Sequence, residues 1–225
     1  KRELNAATEG IADLPKEKLL SWSDEEKMAF WINAHNILTV KLIIDNYPIK
    51  PHWWAAINYP TNSIKQIVGA REKTLFRIAG FQYKLEEIEH DLLKGFKDPR
   101  ICFALTYATK SGAILRNEAY KPEKLDEQLD EQVSEYLAKN KNFSIDKSNK
   151  KVFLSSILKL KNPQMVFENS EYSTIKRFRD KPADVRAFLN FILFYLPPED
   201  VKSLKPMDFD IEFKIYDWEL NEQSS

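Results

Sequence analysis

The pattern of apolar and polar positions predicts a mainly helical chain. A helix is predicted from Ser23 to about Asn46, because Ser23 and Glu26 have the spacing of a capping box and an almost continuous apolar run follows them. Apolar residues that recur with helical spacing mark further segments of this kind. Further helices are predicted over 85–96, from 121 onward, over 156–160 and over 183–196.

Short strands are predicted where a turn separates two apolar segments or where apolar and polar residues alternate. Residues 75–78 and 81–85 flank Ala79-Gly80, which predicts a β-hairpin with a two-residue turn. The other candidate strands are 151–155, 210–218 and 101–108, the last of which also fits a buried helix. Because strands and helices do not alternate regularly, the predicted fold class is α+β, mainly helical with short antiparallel hairpin strands.

Polar residues on otherwise apolar helix faces are the first candidates for a functional site. In the first predicted helix these are Asn33, His35 and Asn36. In the 85–96 helix, Glu89 lies inside the apolar arc and His90 lies at its edge. A buried polar group without a partner costs about 1–3 kcal/mol, so each of these side chains should be hydrogen-bonded. The set fits either a polar core network or an active site.

Two carboxylates are predicted to face inward. A buried carboxylate needs a compensating group, and the expected partner of Glu89 in an internal ion pair is Arg100 or Arg116. A functional site is the alternative interpretation of Glu89. Along the predicted strand 210–218, alternation places Asp217 on the inward, apolar face.

The composition excludes several classes of function. Lys and Arg number 34 and so do Asp and Glu, so the net charge of zero provides no overall attraction to nucleic acid or to an anionic membrane. The five glycines are too widely spaced for a phosphate-binding loop of the GxGxxG or GxxxxGK type. Apolar residues make up 43% of the chain, which is enough for a sizeable core, but no apolar stretch is long enough for a transmembrane segment.

Cysteine and histidine usage argues against a metal site. The single cysteine, Cys102, cannot form an internal disulfide or a CxxC zinc or redox motif. The three histidines are far apart, and there is no HExxH or HxH pairing. We therefore expect neither a metal nor a cofactor.

Six segments make the chain resemble a known family, catalogued as domain of unknown function 547. Any one of them is a weak signal, but the six occur in the family's order and span almost the whole chain. They are 30–36 (FWINAHN), 85–90 (LEEIEH), 98–105 (DPRICFAL), 115–120 (LRNEAY), 152–155 (VFLS) and 216–221 (YDWELN). The resemblance implies an N-terminal extension over 1–22, one globular domain over 23–221 and a tail over 222–225.

The chain departs from the family pattern at the positions that bear on catalysis. Histidine is usual where this chain has Cys102, cysteine is usual at Tyr107 and Gly112, and tyrosine is usual at His35. The cysteine and histidine pattern of the family is similar to that of thiol hydrolases of the papain and transglutaminase type, in which a histidine activates a thiol. The resemblance therefore implies a fold distantly like theirs, in a member that lacks the expected cysteines. A disulfide or a metal site at the two cysteine positions of the family is an equally compatible interpretation, and this chain lacks the residues for both.

Two functions remain open at this point. The first is a degenerate, non-catalytic binding or interaction domain (a pseudoenzyme), whose partner is an unidentified small molecule, peptide or protein. The alternative is a hydrolase or acyl transferase in which His90 is the general base and Glu89 or Asp217 orients it. Its nucleophile is then Cys102 or an activated water, although a thiol in the apolar run 101–108 is expected to be a small buried hydrophobe.

An aromatic loop after the first helix provides a candidate binding surface. Trp53, Trp54 and Tyr59 lie in it, and at least one tryptophan is expected to pack into the core. Family members of this compact form look like exported bacterial proteins. The resemblance therefore implies a periplasmic, outer-surface or extracellular protein after removal of a signal peptide, with the cytoplasm as the alternative.

Overall fold

The computed structural model describes residues 1–206 and 208–222, except for the side chain of Leu93. Its helices are α1 (Arg2–Ala12), α2 (Lys16–Ser21), α3 (Asp24–Asp45), α4 (Leu85–Phe96), α5 (Ile101–Ala104), α6 (Leu125–Leu137), α7 (Lys161–Glu168), α8 (Ala183–Ile192) and α9 (Pro198–Leu204). Its strands are β1 (Phe76–Ile78), β2 (Phe81–Tyr83), β3 (Ser144–Asp146), β4 (Lys151–Leu154) and β5 (Asp210–Phe213). Helices with small antiparallel and mixed sheets confirm the predicted α+β class.

The capping box predicted at the start of α3 is present. The Ser23 hydroxyl accepts a 3.2 Å hydrogen bond from the Glu26 N–H, and the Glu26 carboxylate accepts a 2.7 Å bond from the Ser23 N–H. These two bonds satisfy donors that the helix itself leaves free. The helix then buries Ile32, Leu38 and Leu42 and packs against α1 and α4, which makes it the central element of the fold.

The strands form two separate small sheets. β1 and β2 make the predicted antiparallel hairpin, with positive φ angles at Ala79 and Gly80 that suit the twist of a two-residue turn. In the second sheet, β4 lies between β3 and β5 and is antiparallel to β3 but parallel to β5. The second sheet is therefore mixed, which the prediction of purely antiparallel hairpins did not include.

The ambiguous apolar segment 101–108 begins as helix α5. Its Phe103 is fully buried, and its ring lies 6.0 Å from that of Phe191 and 6.4 Å from that of Phe167. Aromatic rings at these separations pack favourably beyond the area they bury. The segment thus connects α4 and α6 to the aromatic core around α7 and α8.

The last strand is shorter than predicted. β5 ends at Phe213, because its parallel partner β4 ends at Leu154 and the following Lys214 N–H bonds to the Leu154 carbonyl at 2.9 Å. Beyond this point alternation no longer applies, and Ile215 is 95% exposed. The alternation argument that placed Asp217 on an inward strand face is therefore wrong.

Residues 1–22, the expected extension, fold as α1 and α2 against the rest of the chain. Ile11 and Leu19 are buried, and the carbonyl of Ile11 accepts a 3.0 Å bond from the Ala79 N–H in the hairpin turn. Residues 223–225 of the expected tail lie outside the described residues. Within the described ranges, no helix has the length and apolar character needed to cross a membrane.

Candidate functional site

Glu89 is the centre of a buried polar cluster. One turn and a half into α4, its side chain faces the core, where the Arg71 guanidinium bonds one carboxylate oxygen and the Tyr107 hydroxyl donates a 2.5 Å bond to the other. The guanidinium carbon of Arg71 also lies 4.6 Å from the centre of the Tyr107 ring. We call Arg71, Glu89 and Tyr107 the Glu89 cluster. Each member contacts the other two, so the carboxylate is compensated inside the protein.

The expected arginine partners of Glu89 are engaged elsewhere. Arg100 bonds Asp98, Asp126 and Asp130 at 2.7–2.9 Å. Arg116 bonds Glu118 at 2.9 Å and Glu131 at 2.8 Å. The prediction of an internal ion pair for Glu89 therefore names the wrong arginines, since Arg71 lies in an irregular loop whose position no periodic pattern fixes.

Cys102 lies close to the Glu89 cluster but is not activated by it. Its side chain is buried in α5, and burial raises the pKa of its thiol well above the usual range, with the nearby charge of Glu89 acting in the same direction. A nucleophilic cysteine requires the opposite shift, which a cation or a helix N-terminus provides. The surroundings of Cys102 therefore favour the neutral thiol.

His90 lies apart from the Glu89 cluster. Its side chain is 40% exposed, and Nδ1 lies 3.2 Å from a carboxylate oxygen of its neighbour Asp91. It lines a surface cleft of about 480 Å³ with Lys94, Lys97 and residues of α7, and this lining includes neither Glu89 nor Cys102. Adjacent residues on a helix point about 100° apart, which explains why α4 buries Glu89 and exposes His90.

His35, in contrast to His90, is completely buried. It is fully enclosed on α3, and burial, together with the nearby charge of Arg71, lowers its pKa to about 3. Its Nδ1 lies 3.5 Å from the Asn36 side-chain oxygen, and its Nε2 has no hydrogen-bond partner among the described residues. His35 is therefore a neutral imidazole at neutral pH.

Asn33 and Asn36 hold two loops onto α3. The Asn33 amide exchanges two 2.9 Å bonds with the backbone of Tyr120. The Asn36 amide donates to the Ala104 carbonyl and accepts from the Thr106 N–H, both at 2.8 Å. These are the partners that buried amides on an apolar helix require.

A groove runs between α3, α1 and the loop 115–120. Its volume is about 520 Å³, its walls are mainly apolar, and Asn33, Asn36 and Arg116 line it. The structure thus brings together three of the predicted polar-cleft residues. His35 and Arg100 are not part of its lining.

Asp217 lies in an extended segment that contacts the loop after α5. Its N–H donates a 2.9 Å bond to the Ser111 hydroxyl, and its carboxylate accepts a 3.0 Å bond from the Glu219 N–H. Nearby, the hydroxyls of Thr109 and Tyr216 are 2.9 Å apart. Asp217 therefore caps a local turn and bonds neither Glu89 nor His90.

The aromatic loop, which was predicted as a candidate binding surface with at least one buried tryptophan, exposes both Trp53 and Trp54. Trp53 is 78% exposed and Trp54 is 45% exposed. The expectation that at least one of these two tryptophans packs into the core is therefore wrong. Tyr59 is half-buried, and its ring lies 5.7 Å from that of Trp218. The three predicted surface residues therefore divide into two exposed tryptophans and a packed tyrosine.

Comparison with known protein families decides which family this fold represents. The family model described as "Protein of unknown function, DUF547" matches residues 19–137, which is more than half of the chain. The chain belongs to the DUF547 family. Searches of curated proteins and of solved structures found no match.

The matched residues 19–137 include α3 to α6 and the loops between them, so all three members of the Glu89 cluster and Cys102 lie within the match. Asp217 lies outside the matched residues. In the part of the chain that the structure describes, no group of three or more His, Cys, Asp or Glu side chains is arranged to hold a metal ion.

Sequence reasoning missed two residues of the Glu89 cluster. Arg71 belongs to a loop without periodic pattern, so nothing in the sequence indicated its direction. Tyr107 did carry a signal, because it occupies a position where the DUF547 pattern usually has cysteine. A large hydroxyl-bearing side chain at such a position, in a chain with a buried carboxylate, is a reasonable indication of a new hydrogen bond.

Proposed function

We propose that this DUF547 protein is a non-catalytic binding domain. The observation that carries the proposal is the Glu89 cluster, in which Arg71 and Tyr107 occupy both oxygens of the buried carboxylate. A carboxylate that orients a catalytic histidine must hydrogen-bond that histidine. The observed partners of Glu89 are Arg71 and Tyr107, and neither His35 nor His90 is among them.

The environment of Cys102 supports the same proposal. An acyl-transfer mechanism in which Cys102 is the nucleophile needs a thiolate that can reach an external substrate. The Cys102 thiol is enclosed in the core, and burial raises its pKa. A substrate can reach this sulfur only if α5 leaves the core.

The alternative, a hydrolase that uses His90 with Glu89 or Asp217, lacks the required contacts. The His90 imidazole bonds Asp91 at the surface, and Asp217 bonds the Glu219 N–H. A general base must lie within about 3 Å of its orienting group or of the proton it removes. No observed contact favours this second function.

Binding is supported by the exposed tryptophans. Trp53 and Trp54 place two large aromatic side chains in solvent, and aromatic residues are enriched at the centres of binding surfaces. We infer that this surface contacts the partner of the domain. Export to the periplasm or cell surface, which the family resemblance implies, belongs to the same proposal.

The proposal is tested by hydrolysis of p-nitrophenyl acetate, an activated ester that reports on nucleophiles and general bases. We expect the wild type, Cys102→Ala and His90→Ala proteins to hydrolyse it at the same rate. General base catalysis contributes about 100-fold or more, so a loss of that size in either variant would overturn the proposal. Glu135→Gln serves as the control for a surface change, because this residue of α6 is exposed.

A further inference from the structure

The exposed tryptophans belong to a segment that inverts the usual arrangement of a folded chain. In the tryptophan loop, which we define as residues 52–58, Ala55 is fully buried, whereas Trp53 and Ile57 are 78% and 74% exposed. Core-facing positions are normally the large apolar ones. This segment instead directs its small residue inward and its large residues outward.

The tryptophan loop is held in a defined shape. The Ala56 N–H bonds the His52 carbonyl and the Tyr59 N–H bonds the Ala55 carbonyl, both at 2.9 Å, so the backbone makes helical turns. Residues four apart on such turns lie on the same side, which places Trp53 and Ile57 together. Trp54 lies near this pair, because the His52 ring packs against both tryptophans, 5.2 Å from the ring of Trp54 and 6.5 Å from that of Trp53.

The buried Gln66 fastens this loop to the body of the protein. Its side-chain oxygen accepts a 2.8 Å bond from the His52 N–H. Its side-chain nitrogen donates to the carbonyls of Tyr59 and Pro60 at 3.1 and 3.0 Å. The apolar side chains are thus presented on a fixed base, so ordering the loop costs little when it binds.

The charge around the tryptophan loop differs from that of the whole chain. The chain has equal numbers of acidic and basic residues, yet the sequence from Tyr47 to Arg71 contains no Asp or Glu. Arg71 is neutralised by Glu89, which leaves Lys50 and Lys65 as the positive charges of this segment. Lys50 is exposed and forms no salt bridge with any residue that the structure describes. Lys65 is half-buried, and its ammonium lies 4.5 Å from the centre of the Trp218 ring and 5.8 Å from that of the Tyr59 ring.

We propose that the tryptophan loop docks this protein on the surface of an anionic lipid bilayer. This inference rests on the proposed function, since it names the partner of the same surface. Tryptophan prefers the membrane interface, where its ring contacts both acyl chains and headgroups. Trp53, Trp54 and Ile57 enter the interface, while the exposed Lys50 remains at the level of the anionic headgroups.

The chemistry of the loop favours lipid over a glycan. A sugar-binding platform combines a flat aromatic ring with hydrogen-bonding groups that read the hydroxyls. Here the aliphatic Ile57 is exposed together with Trp53. Val68, which also belongs to the segment 47–71 without acidic residues, is exposed as well. Aliphatic side chains contribute to insertion among acyl chains and provide no hydrogen bond to a hydroxyl.

The test is co-sedimentation of the full chain with vesicles. Vesicles of phosphatidylcholine containing phosphatidylglycerol are compared with vesicles of pure phosphatidylcholine. We expect binding to the anionic vesicles, with about fivefold weaker partitioning for Lys50→Gln, because one basic residue near a charged surface contributes about 1 kcal/mol. The Trp53→Ser variant should partition into anionic vesicles about tenfold or more weakly, because it removes an aromatic side chain that the membrane interface would bury.

The matched control is Phe194→Ser, which removes a different exposed aromatic side chain at the end of α8. It should bind vesicles like the wild type, and thermal unfolding should confirm that all three variants are folded. An absence of binding to anionic vesicles would overturn the inference, as would an equal loss in Phe194→Ser. Retention on insoluble polysaccharide that depends on Trp53, without vesicle binding, would also overturn it.

These outcomes are separable from those that test the proposed function. Ester hydrolysis depends on Cys102 and His90, which lie on α5 and α4, and the vesicle assay depends on the tryptophan loop. If vesicles do not bind and hydrolysis is independent of Cys102 and His90, only the lipid partner is wrong. If hydrolysis depends on either residue, the non-catalytic function is wrong whatever the vesicles show.

Discussion

The hydroxyl of Tyr107 donates a 2.5 Å hydrogen bond to the buried carboxylate of Glu89. The same carboxylate bonds Arg71, whose guanidinium lies over the Tyr107 ring. Burial raises the pKa of the Tyr107 hydroxyl well above the usual range, and the charge of Glu89 adds to the effect, so the tyrosine remains a donor at neutral pH. These three side chains therefore stabilise the core together.

Replacing Glu89 should strongly destabilise the fold. The Glu89→Gln change leaves Arg71 buried without its counter-charge, and loss of one partner of a buried pair costs about 3–5 kcal/mol. Urea unfolding should show this as a lower free energy of unfolding. Asp91→Asn, on the exposed face of α4, should change it by less than about 0.5 kcal/mol.

The two partners of this pair should also be coupled. The double variant Arg71→Leu with Glu89→Leu should be less destabilised than the sum of its two single variants, because it leaves no uncompensated charge in the core. Strict additivity in urea unfolding would show that Arg71 and Glu89 do not stabilise each other.

His35 should make the protein less stable as the pH falls. Its pKa is about 3 in the folded chain and about 6.5 when exposed, so below pH 6.5 the unfolded chain binds a proton that the folded chain does not. The free energy of unfolding should therefore fall by about 2 kcal/mol more between pH 7 and pH 5 in the wild type than in His35→Gln.

The control for the pH experiment is Gln82→Ala, which changes an exposed side chain that does not titrate. Its stability should depend on pH as that of the wild type does. Identical pH dependence in the wild type and in His35→Gln would contradict a buried neutral imidazole at position 35.

Asn33 should anchor the loop 115–120 to α3. Its amide makes two bonds to the Tyr120 backbone, so Asn33→Ala should cost about 1–3 kcal/mol and accelerate hydrogen exchange at the Tyr120 amide. Asn117→Ala, an exposed change in the same loop, should alter neither quantity. Unchanged exchange at Tyr120 in Asn33→Ala would show that the loop is held by other contacts.

Local signals in the sequence predicted the elements that depend on local chemistry. The Ser23 and Glu26 capping box fixes the start of α3, and Ala79-Gly80 permits the positive φ angles of the hairpin turn. Both depend on residues close in sequence, so a single sequence is enough to find them. The end of β5 depends on where its partner β4 stops, and alternation along the chain contains no information about that.

Of the Glu89 cluster, only Glu89 itself was predicted as a candidate site residue from the sequence. Helical spacing placed Glu89 in the core, yet its partner Arg71 lies 18 residues away in an irregular loop. Trp53 and Trp54 were predicted as part of a candidate binding surface, but the exposure of both was not predicted, because at least one large apolar side chain is normally assigned to the core. The partners of the polar side chains on helices therefore depend on contacts with loops, and the periodicity of the sequence does not predict those contacts.

The reactivity of Cys102 in the native protein tests the non-catalytic account most directly. The chain has one cysteine, so alkylation by iodoacetamide at neutral pH reports on that thiol alone. The Ser148→Cys variant, which adds a second thiol at an exposed position, provides the accessible reference. We predict that native Cys102 remains unmodified while the added thiol of the reference variant reacts, and that Cys102 reacts only in urea. Native alkylation of Cys102 faster than that of the exposed thiol would contradict the account.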